Sequence, residues 1–381
     1  MTAPPADRPV AFHAPWFDER EIEAVRAALA GQVAGDGPIG RRVEARLAAH
    51  LGAHRVLLTT SGTHAIELAL LALGIGPGRE VICPSFTFVS SANAVLRVGA
   101  RPVFAEIEEE TMGLDPEDVG RRITPRTAAI IPVHYAGVAP AMDALLELAR
   151  ANGLRTIEDA AQGLAARWRG RPLGTLGDAG CLSFHETKNV TCGEGGALVV
   201  SDPAIALRAE IAREKGTNRA AFFRGEVDRY TWVAEGSSYV LSDILAAVLM
   251  AQLEKLDAIQ ARRASVVARY RRALAGWAAE RGVRLPPELP DRTPNHHIFH
   301  LIYPDERRRD EALRVLRARG IAATFHYVPL HSAPHARAMG VSAELPVTDR
   351  VAARLLRLPL HPRLSDQDVE RVVAAVRETG A

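Results

Sequence analysis

Residues 154–200 read LRTIEDAAQGLAARWRGRPLGTLGDAGCLSFHETKNVTCGEGGALVV, and the fold assignment starts from this stretch. It contains three short apolar runs separated by polar or glycine-rich turns, at 154–158, 179–184 and 196–200. Runs of this length bounded by turn residues are typical of buried strands. Asp159 directly follows the first run, and Lys188 lies shortly after the second. Because ligands bind at the carboxyl edge of an open parallel sheet, we expect both side chains to face one pocket.

Similar apolar runs continue on the N-terminal side of this stretch. They lie at 55–59, 80–83, 101–105 and 127–133. They alternate with segments whose apolar residues recur at helical spacing, which predicts an α/β fold with a mostly parallel sheet covered on both faces. Polar clusters follow four of the runs, at Thr59–Thr63, His134–Tyr135, Glu158–Asp159 and Ser183–His185. We expect these clusters to converge.

The N-terminal part and the middle of the chain carry helical patterns. Asp18 is placed to cap a first helix, and residues 39–51 show the spacing of a second amphipathic helix. A long helical stretch from Ser242 to Trp277 is expected to carry the chain out of the sheet domain.

Beyond the proline-rich segment 285–294 the pattern changes. It predicts a strand at 297–303, a helix at 310–319, a strand at 321–328 and a closing helix from Ser365. We therefore expect a large domain at 1–250, and a smaller C-terminal α+β domain at 251–381 that is entered through the long helix.

The composition limits which partners and which cellular compartment we expect. The 381 residues include 47 basic and 45 acidic side chains, so we expect no nucleic-acid partner. The three cysteines lack zinc-ligand spacing, which predicts no metal site and a reducing compartment. The N-terminus lacks the apolar core of a signal peptide, and no run approaches the roughly 18 apolar residues that span a bilayer. These features predict a cytoplasmic protein without a membrane partner.

Lysine is scarce in this chain, and its only lysines are Lys188, Lys215 and Lys255. Lys255 belongs to an amphipathic helix pattern and Lys215 to a charged helix end, whereas Lys188 follows a strand, 29 positions after Asp159. A primary amine for Schiff-base chemistry is therefore expected from Lys188. An ordinary solvent-exposed lysine in a loop is the alternative.

Ser61-Gly62-Thr63 precedes an apolar helix. Backbone N–H groups and hydroxyls at a positive helix end suit a phosphate, although a simple helix cap explains the same residues. The glycine patterns of nucleoside-triphosphate and dinucleotide sites do not occur at this position.

Asp159 can place a carboxylate against a pyridine nitrogen, and this keeps the nitrogen protonated and the ring electron-withdrawing. A turn or cap residue is the alternative. Gln162 can reach the same ligand, Phe88 can stack on a flat ring and Ser183 can add a hydroxyl. Core packing explains Phe88 and Ser183 equally well, and a structural histidine is an alternative for His134.

Taken in order and spacing, these residues resemble the sugar aminotransferases of the DegT/DnrJ/EryC1/StrS family. Longer similar segments lie at 133–139, 183–189, 213–219, 222–225 and 325–331. They are most similar to the branch that forms dTDP-4-amino-4,6-dideoxygalactose. The resemblance covers nearly the whole chain. It implies the aspartate-aminotransferase type of pyridoxal-phosphate fold (fold type I) and a homodimer with active sites near the subunit interface.

The resemblance also implies roles for individual residues. Lys188 forms the Schiff base with pyridoxal 5′-phosphate, and Asp159 pairs with the pyridinium nitrogen. Phe88 stacks on the ring, and Gln162 lies near its hydroxyl. The phosphate is held by Ser61, Gly62, Thr63 and Ser183, with Ser238 contributed by the neighbouring subunit. The implied sugar contacts are His134, Tyr135, Arg224, Tyr327 and His331.

The implied reaction transfers an amino group from L-glutamate, through pyridoxamine phosphate, to C4 of dTDP-4-dehydro-6-deoxy-D-glucose. The products are dTDP-4-amino-4,6-dideoxy-D-galactose and 2-oxoglutarate, in the biosynthesis of surface polysaccharide such as lipopolysaccharide. Alternatives are the C4 gluco epimer, a 3-amino sugar, or a non-catalytic regulatory or ligand-binding protein on the same fold. A related dehydratase branch carries histidine in place of the lysine, so Lys188 argues against it.

Overall fold

The seven apolar runs form one sheet in the computed structural model, which describes residues 8–379. In chain order the strands are β1 (Arg55–Thr59), β2 (Glu80–Pro84), β3 (Arg101–Ala105), β4 (Thr127–Ile130), β5 (Arg155–Asp159), β6 (Arg167–Trp168), β7 (Arg171–Pro172), β8 (Ala179–Ser183), β9 (Gly196–Val200), β10 (Arg292–Thr293), β11 (Phe299–Ile302) and β12 (Leu355–Leu358). The sheet order is β1-β9-β8-β5-β4-β2-β3. Only β9 runs against the others in this sheet, because it pairs antiparallel with both β1 and β8. The predicted mostly parallel α/β sheet is confirmed.

Helices cover the sheet and continue to the end of the described chain. They are α1 (Glu19–Leu29), α2 (Pro38–Leu51), α3 (Gly62–Ala72), α4 (Ser90–Arg97), α5 (Pro116–Arg122), α6 (Met142–Ala151), α7 (Pro203–Arg213), α8 (Arg219–Phe223), α9 (Asp243–Glu254), α10 (Leu256–Arg281), α11 (Glu306–Ala318), α12 (Pro334–Ala338), α13 (Pro346–Arg354) and α14 (Asp366–Arg377). Short 3₁₀ turns lie at Tyr135–Gly137 and Leu330–Ser332.

Local sequence signals determine where several helices begin and end. Asp18 caps α1 and forms a capping box with Glu21, as its position predicted. Ser365 caps α14 in the same way. Helix α2 begins at Pro38, whose fixed φ suits a first helical position, and ends at Gly52, which adopts φ 65°.

The central sheet is buried on both faces. Every residue of β2 and β9 is buried, which explains why these strands are continuous apolar runs rather than alternating ones. Helix α3 packs closely against this sheet, and its buried residues extend around most of its circumference. Because α3 begins directly after β1, its N-terminus lies at the carboxyl edge of the sheet.

A separate apolar cluster surrounds the antiparallel pair β11–β12. It joins Tyr270 and Leu274 of α10 to Phe299 of β11, Leu316 of α11 and Val372 of α14. The expected domain boundary at residue 250 falls within α9 and stays a prediction.

Two predictions in the C-terminal half are wrong in detail. The long helix divides into α9 and α10 at Lys255, whose backbone (φ −95°, ψ 2°) leaves the helical region. The segment 321–328 forms only isolated bridges, Ile321 with Val10 and Thr324 with Arg357, so it is not a regular strand. The strand that pairs with β11 is instead β12, which the apolar pattern did not identify.

Within residues 8–379, each helix is either too short or too polar to cross a bilayer.

Candidate active site

A cavity of about 440 Å³ opens at the carboxyl ends of β1, β5 and β8. It brings together nine of the residues selected from the sequence, which are Ser61, Gly62, Thr63, Phe88, Asp159, Gln162, Ser183, Lys188 and Tyr327. Three of the four polar clusters expected to converge therefore contribute to the lining. The fourth cluster, His134–Tyr135, lies behind it.

Asp159 ends β5 and is only 6% exposed. Its Oδ2 accepts a hydrogen bond from Ser91 Oγ at 2.7 Å, and its Oδ1 accepts one from the backbone N–H of Ala161 at 3.1 Å. Ser91 in turn is 2.9 Å from Thr87 Oγ1. Among residues 8–379, Asp159 forms no ion pair. A buried carboxylate with only neutral donors has the capacity to hold a cationic ring N–H.

Lys188 lies in the turn after β8, where its backbone N–H donates to the carbonyl of His185 at 2.9 Å. Its side chain lines the cavity. Burial lowers the pKa of the Lys188 amine to about 8, and the negative charge of Asp159 partly opposes that shift. The amine is therefore neutral, and able to act as a nucleophile, in a larger fraction of molecules than an ordinary lysine near neutral pH.

The N-terminus of α3 forms one end of the cavity. Ser61 caps this helix by accepting a hydrogen bond from the N–H of His64 at 3.1 Å. The interpretation of this residue as a helix cap is therefore correct. The same residue lines the cavity with Gly62 and Thr63, and Thr63 Oγ1 is 2.6 Å from Ser90 Oγ. The cap and a phosphate site are therefore compatible at this helix end.

Gly62 allows α3 to approach β8 closely. A Cβ at this position would lie 2.9 Å from Ser183 Cβ and 3.3 Å from Ser183 Oγ. Any larger residue would displace the serine that completes this part of the lining. The glycine therefore sets the distance between the helix end and the strand end.

Gln162 connects the cavity wall to the C-terminal half of the chain. Its Oε1 accepts a hydrogen bond from the N–H of Ala136 at 2.7 Å, and its Nε2 donates to the hydroxyl of Tyr327 at 3.2 Å. Phe88 lines the cavity while 60% exposed, so its ring is available to a flat ligand rather than packed in the core.

His134, Tyr135 and His331, expected as sugar contacts, do not line the cavity but are buried behind it, and their expected role stays a prediction. His134 is fully buried with its Nε2 2.7 Å from Glu158 Oε2, next to the strand end that carries Asp159. Tyr135 is 1% exposed and packs behind Tyr327. The ring of His331 is held by Ser85 Oγ at 2.8 Å.

Arg224 and Ser238 lie outside the cavity of their own chain. Arg224 forms ion pairs with Glu210 and Glu226 on the surface near α8. Ser238 is exposed and bridges to Glu214. Their expected roles require a neighbouring subunit and stay predictions.

Sequence reasoning missed six aromatic or basic residues of the lining. They are Phe12, His13, Arg263, His297, His326 and Arg357. The one available signal was Arg357, a charge within the apolar run Leu355–Leu358. The others come from segments far apart in the chain, so local patterns could not group them.

The residues present fit pyridoxal phosphate. A helix N-terminus with hydroxyls can receive the phosphate, the buried Asp159 can receive the pyridinium N–H, and Lys188 offers a primary amine. The other two lysines do not line this cavity within the described residues. In residues 8–379 no group of three or more His, Cys, Asp or Glu is arranged to hold a metal ion.

Comparisons with known proteins identify the family of the chain. The model of the DegT/DnrJ/EryC1/StrS aminotransferase family matches residues 15–377. The structure is similar to that of the aminotransferase TlmJ from Streptoalloteichus hindustanus, with 35% identity, a TM-score of 0.89, and 97% of this chain and 98% of that chain covered. It is also similar to DesV from S. venezuelae in complex with a ketimine intermediate, with 37% identity, a TM-score of 0.88 and the same coverage.

A third similar structure is the PLP-form of the sugar aminotransferase Spr1654 from Streptococcus pneumoniae, with 26% identity and a TM-score of 0.90. It covers 97% of this chain and 98% of its own. The family match spans nearly the whole chain. The chain therefore belongs to the DegT/DnrJ/EryC1/StrS aminotransferase family and is a pyridoxal-phosphate-dependent aminotransferase.

Proposed function

We propose that the enzyme transfers the amino group of L-glutamate to C4 of dTDP-4-dehydro-6-deoxy-D-glucose. The products are dTDP-4-amino-4,6-dideoxy-D-galactose and 2-oxoglutarate, used in making surface polysaccharide. The observation that carries the transamination is the presence of Lys188 and Asp159 in one cavity that begins at the N-terminus of α3. The assignment of the sugar and of the donor rests on the segments at 133–139, 213–219 and 325–331, which resemble those of the family branch named above.

Pyridoxal phosphate supplies, when bound, an aldehyde for amine exchange and a ring that withdraws electrons from the reacting carbon. Asp159 keeps the ring nitrogen protonated, and Ser91 holds the carboxylate in place. Lys188 would hold the cofactor through its amine and, once displaced by the donor amine, would act as general base and acid. It would take the proton from the α-carbon of the donor and deliver a proton to the cofactor carbon on the other side of the donor nitrogen. A pKa lowered to about 8 suits both directions of that transfer.

The remaining lining residues would bind and orient the cofactor. Ser61, Gly62, Thr63 and Ser183 hold the phosphate, and Phe88 covers one face of the ring. Gln162 lies near the ring hydroxyl, where its hydrogen bond to Tyr327 links the cofactor position to the sugar position.

A homodimer with shared active sites is part of the proposal. The segment 222–233 exposes large apolar side chains that a solvated monomer rarely groups together, namely Phe222, Phe223, Tyr230, Trp232 and Val233. Docking this segment on a second copy would bury them and bring Arg224 and Ser238 toward the other cavity.

The decisive experiment incubates the enzyme with glutamate and a panel of nucleotide keto-sugars, and assigns the product by NMR. We expect an axial amine at C4 of the dTDP sugar. An equatorial C4 amine or a C3 amine identifies a different nucleotide-sugar product, and no turnover with any sugar or donor supports a non-catalytic role.

Replacement of Lys188 tests the catalytic assignment. We expect Lys188→Ala to lower the transamination rate about 1,000-fold or more, because it removes both the cofactor bond and the proton carrier. The matched control is Lys215→Ala, whose side chain is 55% exposed, and its rate should stay unchanged. A Lys188→Ala enzyme with an undiminished rate would contradict the assignment.

A further inference from the structure

The turn that carries Lys188 is held firmly on its C-terminal side. Asn189 follows Lys188 directly and is buried. Its Nδ2 donates a hydrogen bond to the carbonyl of Asn295 at 2.8 Å, and its Oδ1 is 2.9 Å from Nδ1 of His297. Asn295 and His297 are themselves buried, so the chain is fixed at this point.

The other side of the turn depends on one contact with a distant segment. Glu186 and Thr187 are exposed, and the hydrogen bonds of Thr187 stay within the turn, at His185. The carbonyl of Glu186 instead accepts a hydrogen bond from Nε2 of His13. Within residues 8–379, no other hydrogen bond joins Glu186 or Thr187 to a residue outside 185–188. This side of the turn is therefore positioned by His13.

His13 belongs to a segment that is fixed to the C-terminal half of the chain, and we call residues 8–13 the N-terminal strap. Val10 of the strap is 2% exposed. Its N–H donates to the carbonyl of Gly320 at 2.9 Å, and its carbonyl accepts from the N–H of Ala322 at 3.0 Å. Its side chain belongs to the apolar cluster around β11 and β12. The strap therefore follows the position of that cluster.

Further contacts hold the strap on both sides of Val10. Arg8 forms an ion pair with Asp368 of α14 at 3.1 Å, and the ring of Phe12 lies 4.8 Å from the guanidinium of Arg357. Phe12 and His13 both line the cavity. The N-terminal strap is thus a cavity wall that connects the C-terminal half of the chain to the turn with the reactive amine.

His13 makes this contact as a neutral donor. Burial lowers its pKa to about 4, the bond to Glu186 opposes that shift, and the positive charges of Arg263 and Arg357 add to it. A carbonyl oxygen only accepts, so Nε2 of His13 carries a proton and donates it to the hydrogen bond. The contact therefore persists through the pH range in which Lys188 titrates.

The charged groups that act on Lys188 lie outside the strap. Asp159 on β5 raises the pKa of its amine and Arg357 on β12 lowers it, both less than burial does. The neighbouring imidazoles of His297 and His326 are neutral, because burial lowers the pKa of each. A neutral substitution at His13 leaves all four of these groups in the chain, so its effect on Lys188 reports the position and burial of the amine.

We propose that His13 is a positioning residue for Lys188, through which the N-terminal strap holds the turn at 185–188. The inference rests on the proposed function and deepens it, because it concerns the amine to which that function assigns the proton transfer. Without the bond from His13, the exposed side of the turn is released and the amine of Lys188 reaches water.

The first test measures competitive acetylation of Lys188 in the cofactor-free, full-length enzyme as a function of pH. His13→Leu removes the donor but keeps a side chain of similar volume. We expect the midpoint of Lys188 to rise by about one pH unit, because the released amine is less buried. His13→Gln has an amide N–H at the reach of Nε2 and should restore the wild-type midpoint.

The matched control is His50→Ala, which removes an exposed histidine of α2 that does not line the cavity. Its Lys188 midpoint should equal that of the wild type. A wild-type midpoint in His13→Leu would overturn the proposal. A midpoint displaced as far in His13→Gln as in His13→Leu would also overturn it, because the hydrogen bond would then be irrelevant.

Hydrogen exchange follows the turn itself. The amide of Lys188 donates to the carbonyl of His185 at 2.9 Å, and it should exchange about 10-fold faster in His13→Leu than in the wild type. The amide of Phe184, which bonds to Gly195 at 2.8 Å, is the internal reference and should stay unchanged. Equal exchange of the Lys188 amide in both proteins would contradict a positioning role.

Val10→Ala tests the connection to the C-terminal half. It weakens the apolar anchor of the strap, so the Lys188 midpoint should shift in the same direction as in His13→Leu but less. Adding Val10→Ala to His13→Leu should cause no further shift, because the strap acts through His13. An additive shift would overturn that route.

The holoenzyme separates this proposal from the proposed function. In the donor half-reaction with L-glutamate, His13→Leu should lower kcat about 10-fold and change KM less than about twofold, since the displaced group is Lys188. An unchanged kcat would overturn the positioning role. A Lys188→Ala enzyme with an undiminished rate contradicts the proposed function itself, whereas unchanged acetylation and exchange in His13→Leu contradict the strap alone.

Discussion

The position of Asp159 depends on a neighbouring side chain that does not line the cavity. Glu158, directly before Asp159, accepts hydrogen bonds from the N–H groups of Leu176 and Gly177 at 2.5 and 2.8 Å, besides its contact with His134. This buried carboxylate ties the end of β5 to the loop before β8. The position of Asp159 therefore follows from a charge that faces away from the cavity.

The lowered pKa of Lys188 leads to a pH prediction for the cofactor-free enzyme. Only the neutral amine reacts with acylating reagents, and a lysine with its ordinary pKa stays almost fully protonated at pH 8. Competitive acetylation of Lys188, quantified by mass spectrometry, should therefore rise with pH and reach half of its maximum near pH 8. Lys215 serves as the accessible reference. A Lys188 midpoint above pH 10 would contradict the effect of burial.

The sequence was sufficient for the residues that sit at strand ends and, through the resemblance, for Tyr327, but it was insufficient for the basic residues that the C-terminal half contributes. Asp159, Ser183 and Lys188 could be selected because a local apolar run precedes each of them. Arg263 and Arg357 reach the cavity only through packing between distant segments. His134 follows a strand as well, yet its side chain turns toward Glu158, because a buried carboxylate needs a donor.

Elements with strong local patterns were predicted well, and elements that depend on distant pairing were not. The seven strands of the central sheet are apolar runs that stay buried in any arrangement of a covered sheet. Strand β12 contains an arginine and precedes Pro359, so its strand character comes from pairing with β11. The segment 321–328 is apolar enough for a strand, but it bridges only at single positions to Val10 and Arg357.

Helices α3 and α10 provide a matched pair of glycine substitutions. Gly276 lies on an exposed part of α10 with open space around it, so Gly276→Ala should raise the free energy of unfolding by about 0.5–1 kcal/mol. Gly62→Ala should lower it and weaken cofactor binding, because the added Cβ meets Ser183. Denaturant unfolding and cofactor titration measure both effects. A stabilised Gly62→Ala enzyme with normal cofactor affinity would show that the close approach is unimportant.

At the scale of the whole molecule, the surface near α8 is notable for several large apolar side chains that are exposed together. Its apolar side chains lie in one segment between α7 and α9, and Trp232 is 77% exposed. An apolar group of this kind on one chain favours association with a second copy.

We expect Trp232→Asp to convert a dimer into monomers in light scattering at micromolar protein, because a charge opposes burial of this surface. Cofactor affinity should fall with it, since Arg224 and Ser238 would no longer reach a second cavity. Leu207→Asp, at a 50% exposed leucine on α7, is the matched control and should leave the dimer intact. A wild-type enzyme that is monomeric in light scattering would contradict the proposal of shared active sites.

Strand β9 lies between β1 and β8 in the sheet, although it follows both of them in the sequence. Ser61 and Ser183 therefore take up their final spacing only when residues 196–200 insert between the strands that precede them. We therefore expect a chain truncated before Gly196 to bind no cofactor, because it lacks the strand that joins the two serine-bearing strand ends.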